Sequence, residues 1–283
     1  MPRGQLLDSR AMAIAILDGA IGTELLARGL SFDAPAWSAA AISDAPELLA
    51  EVHRDYAKAG ATWHTANTFR TQARAYGVGW EEALRGAVAV ARGALPEGCR
   101  VLGSMAPVED CYRPDLSPGE GARAEHRLVA STLVDAGCDG ILCETFAHEA
   151  EAIVASEEGL RTGLPVWVSL TAGPFGDLLT PGGLGRIAKS VASTGAERVL
   201  VNCVAASRMQ AYVDAIVGVG CPTGAYANAG GKDEGLGWGA ISEEAVERYA
   251  ELALGWVDAG VTLVGGCCGT GPSHIAALTK RFG

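Results

Sequence analysis

Short apolar runs rich in Val, Ile and Leu alternate along the chain with longer amphipathic stretches full of Ala, Glu and Arg. Apolar runs of this kind, bounded by turn residues, are typical of buried strands, and the longer stretches have the pattern of helices. The alternation predicts eight strands, each followed by a helical stretch. The strands are predicted at residues 11–17, 61–66, 100–104, 139–143, 165–171, 199–204, 223–227 and 261–264.

Repeated strand–helix units are the pattern of a parallel sheet covered by helices. Eight regular units without a phosphate-binding glycine fingerprint favour a sheet closed into a (β/α)8 TIM barrel over an open doubly wound sheet. A length of 283 residues suits one such barrel, and no linker composition divides the chain. We therefore expect an α/β fold with a single barrel domain over residues 1–283.

Polar residues at the predicted helix ends indicate where helices begin. Ser43 or Asp44 is expected to cap the helix after the first strand, and Ser242 the helix that runs to residue 258. A lone histidine is more often a packing or capping residue than a metal ligand. His64, in the second strand, and His274, near the start of the last helix, are interpreted in that way.

The composition excludes several classes of protein. A hydrophobic fraction of 49% with 19% charged residues argues against disorder, and no apolar stretch is long enough for a membrane helix. The net charge of -11, without a clustered face of Lys or Arg, opposes binding to phosphate backbones and anionic lipids. We expect neither nucleic acid nor membranes as partners.

Eight cysteines would be compatible with a disulfide framework in a secreted protein. The apolar residues 12–17, however, are too short for the core and cleavage site of a signal peptide, and they run directly into Asp18. We therefore expect a reducing cytoplasm, with thiols that are free or bound to metal.

Cys267 and Cys268 are adjacent and set between glycines, after the apolar residues of the last predicted strand. A vicinal disulfide and two packed thiols are the simplest interpretations of such a pair. Cys203 also follows an apolar run. Because the carboxyl ends of the strands of a parallel barrel share one face, we expect all three thiols to converge there.

Several motifs, in this order along the chain, resemble those of the homocysteine S-methyltransferase family, whose members are zinc-dependent thiol methyltransferases built on a single barrel. The pairing of Asn-Cys with Gly-Gly-Cys-Cys-Gly is the most specific of them. The motifs are LDGAIGTE at 17–24, NTF at 67–69, ETF at 144–146, NC at 202–203, ANAG at 227–230 and GGCCG at 265–269.

The resemblance implies a methyltransferase that converts homocysteine to methionine at a zinc ion. Three thiolates suit a tetrahedral zinc site with an open fourth position, and soft sulfur ligands favour zinc over magnesium or calcium. We predict Zn2+ bound by Cys203, Cys267 and Cys268, with the substrate thiol as the fourth ligand. Such a metal lowers the pKa of the substrate thiol, so that a thiolate exists at neutral pH.

Four further residues are predicted to bind substrate or metal. The resemblance implies that Glu144 holds the amino group of homocysteine; the alternative is a carboxylate that caps the following helix. Asp18 either binds the amino acid or caps the turn at Gly19, and backbone amides of this turn are expected to hold the substrate carboxylate. Asn228 either orients or binds the metal, or is a left-handed turn residue.

The methyl donor is expected to be a small cation. Trp37 and Phe69 lie in or beside predicted mouth loops, where aromatic faces attract cations, and the chain is too short for a folate or cobalamin module. We predict a sulfonium donor, with S-methylmethionine preferred to S-adenosylmethionine. The alternatives are a betaine-type donor, another thiol acceptor, or a non-catalytic zinc- or redox-sensing thiol protein.

Overall fold

A computed structural model describes residues 13–32, 36–230, 235–238 and 241–283 of the chain. Within these ranges, eight parallel strands pair in one sheet, in an order that steps through the chain from the second strand to the eighth and then to the first. A bridge between Leu17 and Trp63 joins the first strand to the second and closes the barrel. The predicted TIM barrel is confirmed. The strands are β1 (Ala15–Ile16), β2 (Trp63–Ala66), β3 (Arg100–Met105), β4 (Gly140–Phe146), β5 (Val166–Leu170), β6 (Arg198–Ala205), β7 (Thr223–Asn228) and β8 (Leu263–Gly266).

Helices follow the strands and cover the sheet. Short 3-10 turns at Trp37–Ala40, Pro114–Leu116, Gly119–Ala122 and Ala206–Arg208 precede several of them. The α-helices are α1 (Gly22–Ala27), α2 (Ala41–Asp44), α3 (Pro46–Lys58), α4 (Ala73–Tyr76), α5 (Trp80–Ala94), α6 (Arg123–Asp135), α7 (Glu149–Leu160), α8 (Pro181–Ala192), α9 (Met209–Ile216), α10 (Glu243–Ala259) and α11 (Pro272–Phe282). In the described part of the chain, none of them is long and apolar enough to cross a membrane.

Some predicted boundaries are wrong. Ser43 and Asp44 do not cap α3: they form the end of α2, and Ala45 occupies the cap position without a side-chain hydrogen bond. Strand β4 continues to Phe146 rather than ending at residue 143, so Glu144 lies within the strand. Residues 11 and 12 of the first predicted strand lie outside the described residues.

Other predicted helix starts are confirmed. The Ser242 hydroxyl caps α10 by accepting a hydrogen bond from the amide of Ala245 at 3.1 Å. His274 caps the start of α11, where its Nδ1 accepts from the amide of Gly271 at 3.2 Å. The interpretation of His274 as a capping residue is therefore confirmed.

Two clusters of apolar side chains pack against the sheet, one on its outer face and one on its inner face. The larger cluster fills the space between strands and helices, and the smaller one lies inside the barrel. The inner cluster includes Trp167, whose ring centroid is 4.5 Å from that of Trp63. Because the interior is packed with side chains, the open space of the barrel lies at its mouth. The inner cluster consists of Leu17, Leu102, Leu142, Trp167, Leu200, Tyr226 and Leu263.

Candidate active site

A cavity of about 610 Å3 opens at the carboxyl ends of the strands. Its walls combine the ends of strands with the loops that follow them. Of the nine site residues predicted from the sequence, eight line this cavity, and Asn228 does not. The eight are Asp18, Gly19, Trp37, Phe69, Glu144, Cys203, Cys267 and Cys268.

The thiols of Cys203, Cys267 and Cys268 form a cluster in this cavity. Their Sγ atoms all lie within 4.8 Å of one another, and the Sγ atoms of Cys203 and Cys267 are 2.7 Å apart. Both members of the vicinal pair are free thiols, so the vicinal disulfide considered above does not form. Three soft sulfur donors from β6 and from the turn after β8, converging on one point, have the chemistry of a zinc site.

The three thiols also interact with one another. Cys203 and Cys267 hydrogen-bond to Cys268, and these bonds lower the pKa of Cys268 well below its usual value. Hydrogen bonding to the charged form favours a thiolate, so Cys268 is the thiol that ionises first. A cation bound to the three sulfurs would neutralise the negative charge of such a thiolate.

Backbone geometry aims Cys203 and Glu144 into the cavity. Strand β6 has an irregularity between Asn202 and Ala205, and β4 has one between Cys143 and Phe146. Cys203 (φ 54°) and Thr145 (φ 67°) adopt the left-handed conformation, which is rare for residues with a side chain. Strained backbone of this kind persists only where surrounding contacts hold it, and it is frequent at functional sites.

Glu144 lies next to the thiol cluster with both carboxylate oxygens engaged. The Ser104 hydroxyl donates to Oε1, and the Tyr226 hydroxyl donates to Oε2 at 3.0 Å. Burial raises the pKa of Glu144 to about 7, although these hydrogen bonds act in the opposite direction. Glu144 does not cap the next helix: His148 occupies that position, and its Nδ1 accepts from the amide of Glu151 at 3.3 Å. The capping alternative is therefore wrong.

Asp18 places a second buried carboxylate at the cavity wall. Its Oδ2 accepts from the amide of Thr65 at 2.9 Å and its Oδ1 from the Thr65 hydroxyl at 3.0 Å, so its side chain binds β2 instead of capping the turn at Gly19. Burial raises its pKa well above the usual value. The amides of Asp18 and Ala20 already donate to Trp63 O and Thr270 Oγ1. Within the described contacts, only the amide of Gly19 is left for a substrate carboxylate.

Two buried histidines lie beneath Asp18. Ligand atoms of Asp18, His53 and His64 are within 4.8 Å of one another, and His64 Nδ1 is 3.9 Å from Asp18 Oδ2. Burial lowers the pKa of His53 to about 3 and that of His64 to about 4, so both imidazoles are neutral at neutral pH. Because both oxygens of Asp18 already accept hydrogen bonds, we interpret His64 as a packing residue.

Aromatic side chains form the outer part of the cavity wall. The Trp37 ring lies directly on the backbone of Gly22, where an added Cβ would be 2.2 Å from a ring carbon. Asn67 fixes the segment that carries Trp37, because its Oδ1 accepts from the Ser38 hydroxyl at 2.9 Å and its Nδ2 donates to Ser38 O at 2.8 Å. Phe69 follows two residues after Asn67 and also lines the cavity.

Asn228 ends β7 and is buried outside the cavity. Its backbone is not left-handed, so the turn-residue alternative is wrong. Its Oδ1 has no hydrogen-bond partner among the residues that the structure describes. A buried oxygen of this kind suits a ligand or a water, so a role for Asn228 in orienting or binding the metal stays a prediction.

Four further residues complete the site, and sequence reasoning assigned none of them a role, although Ser104 was expected at a strand end of the barrel mouth. Tyr112 and Cys111, in the loop after β3, line the cavity, and the Tyr112 hydroxyl hydrogen-bonds to Cys203. Ser104 and Tyr226 hold Glu144 from inside the barrel. The loop after β3 is long enough to cover the site, but nothing in its sequence singles out these two side chains.

Comparisons with known proteins agree with this geometry. A sequence model described as homocysteine S-methyltransferase matches residues 15–282. The chain is similar to homocysteine S-methyltransferase of Escherichia coli K12, with 33% identity over 99% of this chain and 98% of that protein. It is also similar to a selenocysteine Se-methyltransferase of Brassica oleracea var. italica, with 26% identity over 95% and 88% of the two chains. The metallated crystal structure of homocysteine methyltransferase MmuM from E. coli superposes with a TM-score of 0.80, at 27% identity over 96% of this chain and 97% of that one.

Proposed function

Since the chain belongs to the homocysteine S-methyltransferase family, and is thus a methyltransferase, we propose that it transfers a methyl group from a small sulfonium donor to the thiol of homocysteine. The product is methionine. The observation that carries this proposal is the position of Glu144 beside three convergent thiols in one cavity. That arrangement offers a place for the reacting sulfur and for the ammonium group of the same substrate.

Zinc is the metal that the donor set favours. Cys203, Cys267 and Cys268 would hold it, and bound zinc would lower the pKa of the substrate thiol so that a thiolate is available at neutral pH. The metallated form of the E. coli neighbour supports a bound metal without naming it or its ligands. The unpartnered Oδ1 of Asn228 would orient or bind the same metal.

The amino-acid part of homocysteine would be bound by residues of this chain at fixed positions. The hydrogen bonds from Ser104 and Tyr226 favour the ionised form of Glu144, which can then accept from the substrate ammonium group. Asp18 adds a second buried carboxyl group to the same wall, and the amide of Gly19 is free to donate to the substrate carboxylate. These contacts would place the thiol at the cysteine cluster.

The chemistry of the transfer favours a sulfonium over a quaternary ammonium donor. The thiolate sulfur forms a bond to the methyl carbon, and the electron pair of the breaking C–S bond leaves with the donor, which becomes a neutral sulfide. A sulfide is a better leaving group than a tertiary amine. Trp37 and Phe69 line the cavity and offer aromatic faces to the donor cation, with an attraction of about 0.5–2 kcal/mol. With homocysteine, S-methylmethionine would give two molecules of methionine.

The test is an assay of the zinc-loaded protein with homocysteine and, in turn, S-methylmethionine, S-adenosylmethionine and betaine, following methionine. Turnover with a sulfonium is expected. Turnover with betaine alone would overturn the donor, and no turnover with any donor, although the protein is folded and holds zinc, would favour the non-catalytic alternative. The similarity to a selenocysteine Se-methyltransferase supports a second candidate acceptor. The same assay with selenocysteine in place of homocysteine tests it.

A further inference from the structure

One wall of the cavity carries charged side chains from the loops after β2 and β3. Arg70, Arg74, Glu109 and Asp110 all line it. In a chain with 22 basic and 33 acidic residues, most cations on such a wall are expected to find a carboxylate of the protein. The two arginines differ in this respect.

Arg74 is neutralised by the protein itself. Its guanidinium donates to Glu109 and also to both carboxylate oxygens of Glu125, at 2.7 and 2.6 Å. These bonds tie the loop after β2 to the loop after β3 and to α6. Arg74 is therefore a structural residue of the wall, and the carboxylates of Glu109 and Glu125 neutralise its charge.

Arg70 has no such partner among the residues that the structure describes. Its guanidinium lies over the ring of Phe69, with Cζ 5.3 Å from the ring centroid, and the side chain is half-buried. Stacking on an aromatic ring holds one face of a guanidinium without neutralising it. The N–H groups at its edge remain free for a planar anion, and a carboxylate matches them with two parallel hydrogen bonds.

The position of Arg70 in the cavity indicates which of the two substrates its free N–H groups would bind. Arg70, Cys111 and Cys203 line the same cavity, and Cys111 interacts electrostatically with both the guanidinium and the Cys203 thiol. The carboxylates that suit the ammonium group of homocysteine, Glu144 and Asp18, belong to the barrel strands and their immediate ends. An anion at Arg70 would thus belong to the second substrate, which approaches from the loop side.

We propose that Arg70 binds the carboxylate of the methyl donor and selects donors that have one. This inference rests on the proposed function, because it assigns a residue to the donor of that reaction. Phe69 then has two tasks on one wall: one face of its ring supports the guanidinium, and the rest of the ring lines the cavity that receives the donor. Binding the carboxylate at Arg70 keeps the positive guanidinium away from the sulfonium, which is at the other end of the molecule.

The experiment compares S-methylmethionine with its carboxamide, which keeps the sulfonium and loses the negative charge. Wild type is expected to show a KM for the acid about 10- to 100-fold below that for the amide, as a charge-assisted hydrogen-bonding pair provides. In Arg70→Gln the KM for the acid rises to about that of the amide, while the KM for the amide, the KM for homocysteine and the zinc content are unchanged. Arg85→Gln, an exposed arginine of α5 away from the cavity, is the matched control and should behave as wild type.

Several results would overturn the assignment. An equal rise of KM for acid and amide in Arg70→Gln would mean that the arginine shapes the wall without contacting the donor carboxylate. A rise of the KM for homocysteine alone would mean that Arg70 binds the carboxylate of homocysteine instead. If betaine is the donor, the proposed sulfonium fails, and betaine is compared with its carboxamide in the same two variants. If no donor is turned over, calorimetric binding of S-methylmethionine and its amide to the homocysteine-loaded protein gives the same comparison. Absence of binding by both would overturn the Arg70 assignment together with the function.

Discussion

The side chain of Asn202 holds the backbone of Thr145 across the barrel mouth. Asn202 Oδ1 accepts from the Thr145 amide at 3.2 Å, and Asn202 Nδ2 donates to Thr145 Oγ1 at 2.8 Å. Thr145 follows Glu144, and Asn202 precedes Cys203. One buried amide therefore joins the two strand irregularities that aim the Glu144 carboxylate and a thiol of the cluster into the cavity. The two halves of the site are mechanically coupled through this side chain.

We expect Asn202→Ala to damage both halves of the site at once. The substitution leaves the Ser169 hydroxyl and the Thr145 amide and hydroxyl without their buried partner, each at about 1–3 kcal/mol. Urea unfolding should show a loss of about 2–4 kcal/mol, because some of these groups will find water. Zinc content should fall, and the KM for homocysteine should rise.

A buried serine away from the site provides the control for Asn202→Ala. Ser156 pairs with Thr194 at 2.7 Å, far from the cavity lining. Ser156→Ala should lower stability without changing zinc content or KM. Normal zinc content and normal KM in Asn202→Ala would show that the irregular backbones of β4 and β6 keep their conformation without the Asn202 side chain.

The three clustered cysteines are expected to bind about one zinc ion per chain. Cys203→Ala, Cys267→Ala and Cys268→Ala should each lose metal and activity, since a site with three protein ligands loses affinity when one is removed. Cys221→Ala, at a partly buried cysteine that does not line the cavity, is the control and should retain zinc. Metal analysis of the purified proteins decides, and full zinc content in one of the first three variants would remove that cysteine from the site.

X-ray absorption spectroscopy at the zinc edge tests whether the substrate thiol coordinates the zinc ion. If the homocysteine thiol is the fourth ligand, its addition should replace an oxygen or nitrogen neighbour of zinc by sulfur. A first coordination shell that stays the same in the presence of saturating homocysteine would contradict the proposed position of the substrate thiol.

The substitution Glu144→Gln should weaken the binding of homocysteine far more than it changes zinc content. An ionic hydrogen bond to the substrate ammonium is worth about 1.5–3 kcal/mol, so KM should rise about 10- to 100-fold. Inhibition by 4-mercaptobutanoate, which lacks the amino group, serves as the control and should be equal in wild type and variant. Equal weakening of both compounds would mean that Glu144 acts on the thiol end or on the fold.

The barrel could be predicted from the sequence because its strands are continuous apolar runs, whereas parts of the site could not. Buried parallel strands carry apolar residues on both faces, so no alternation identified Tyr226 or Ser104 as inward-facing partners of Glu144. The true end of β4 depends on Asn202, 57 residues from Thr145, which no local pattern reveals. The predicted cap at Ser43 failed because residues 41–44 form a short helix of their own.

Acid should destabilise the fold partly through His53. Its pKa is about 3 in the buried site and about 6.5 in an unfolded chain, so the unfolded state takes up a proton as the pH falls below 6.5 while the folded state stays neutral. Between pH 7.5 and 5.5 this histidine should lower the free energy of unfolding by about 1.4 kcal/mol. Glu144, with its raised pKa, titrates in the opposite sense, so total stability alone is no measure of the effect.

Comparison with His53→Leu isolates that contribution. Urea unfolding of chelator-treated protein at both pH values should show that wild type loses about 1.4 kcal/mol more than the variant. Equal losses in the two proteins would mean that His53 can take up a proton in the folded state, for instance through water that reaches its ring.

The contact of Trp37 with Gly22 allows the proposed donor-binding role of Trp37 to be tested by a substitution on the far side of its ring. Trp37→Ala should raise the KM for the donor while zinc content and the KM for homocysteine stay nearly unchanged, because the ring lines the cavity on the loop side. Gly22→Ala should have a similar effect, since a Cβ there would be 2.2 Å from a carbon of the indole ring, which must then move. Gly93→Ala, at an exposed helical glycine with open space around it, is the control and should leave all three quantities as in wild type.

If Gly22→Ala leaves the donor KM unchanged although Trp37→Ala raises it, the indole ring has room to shift while it stays in contact with the donor. If Trp37→Ala instead raises the KM for homocysteine alone, the indole belongs to the amino-acid site, and the cation must be bound by other residues of the cavity.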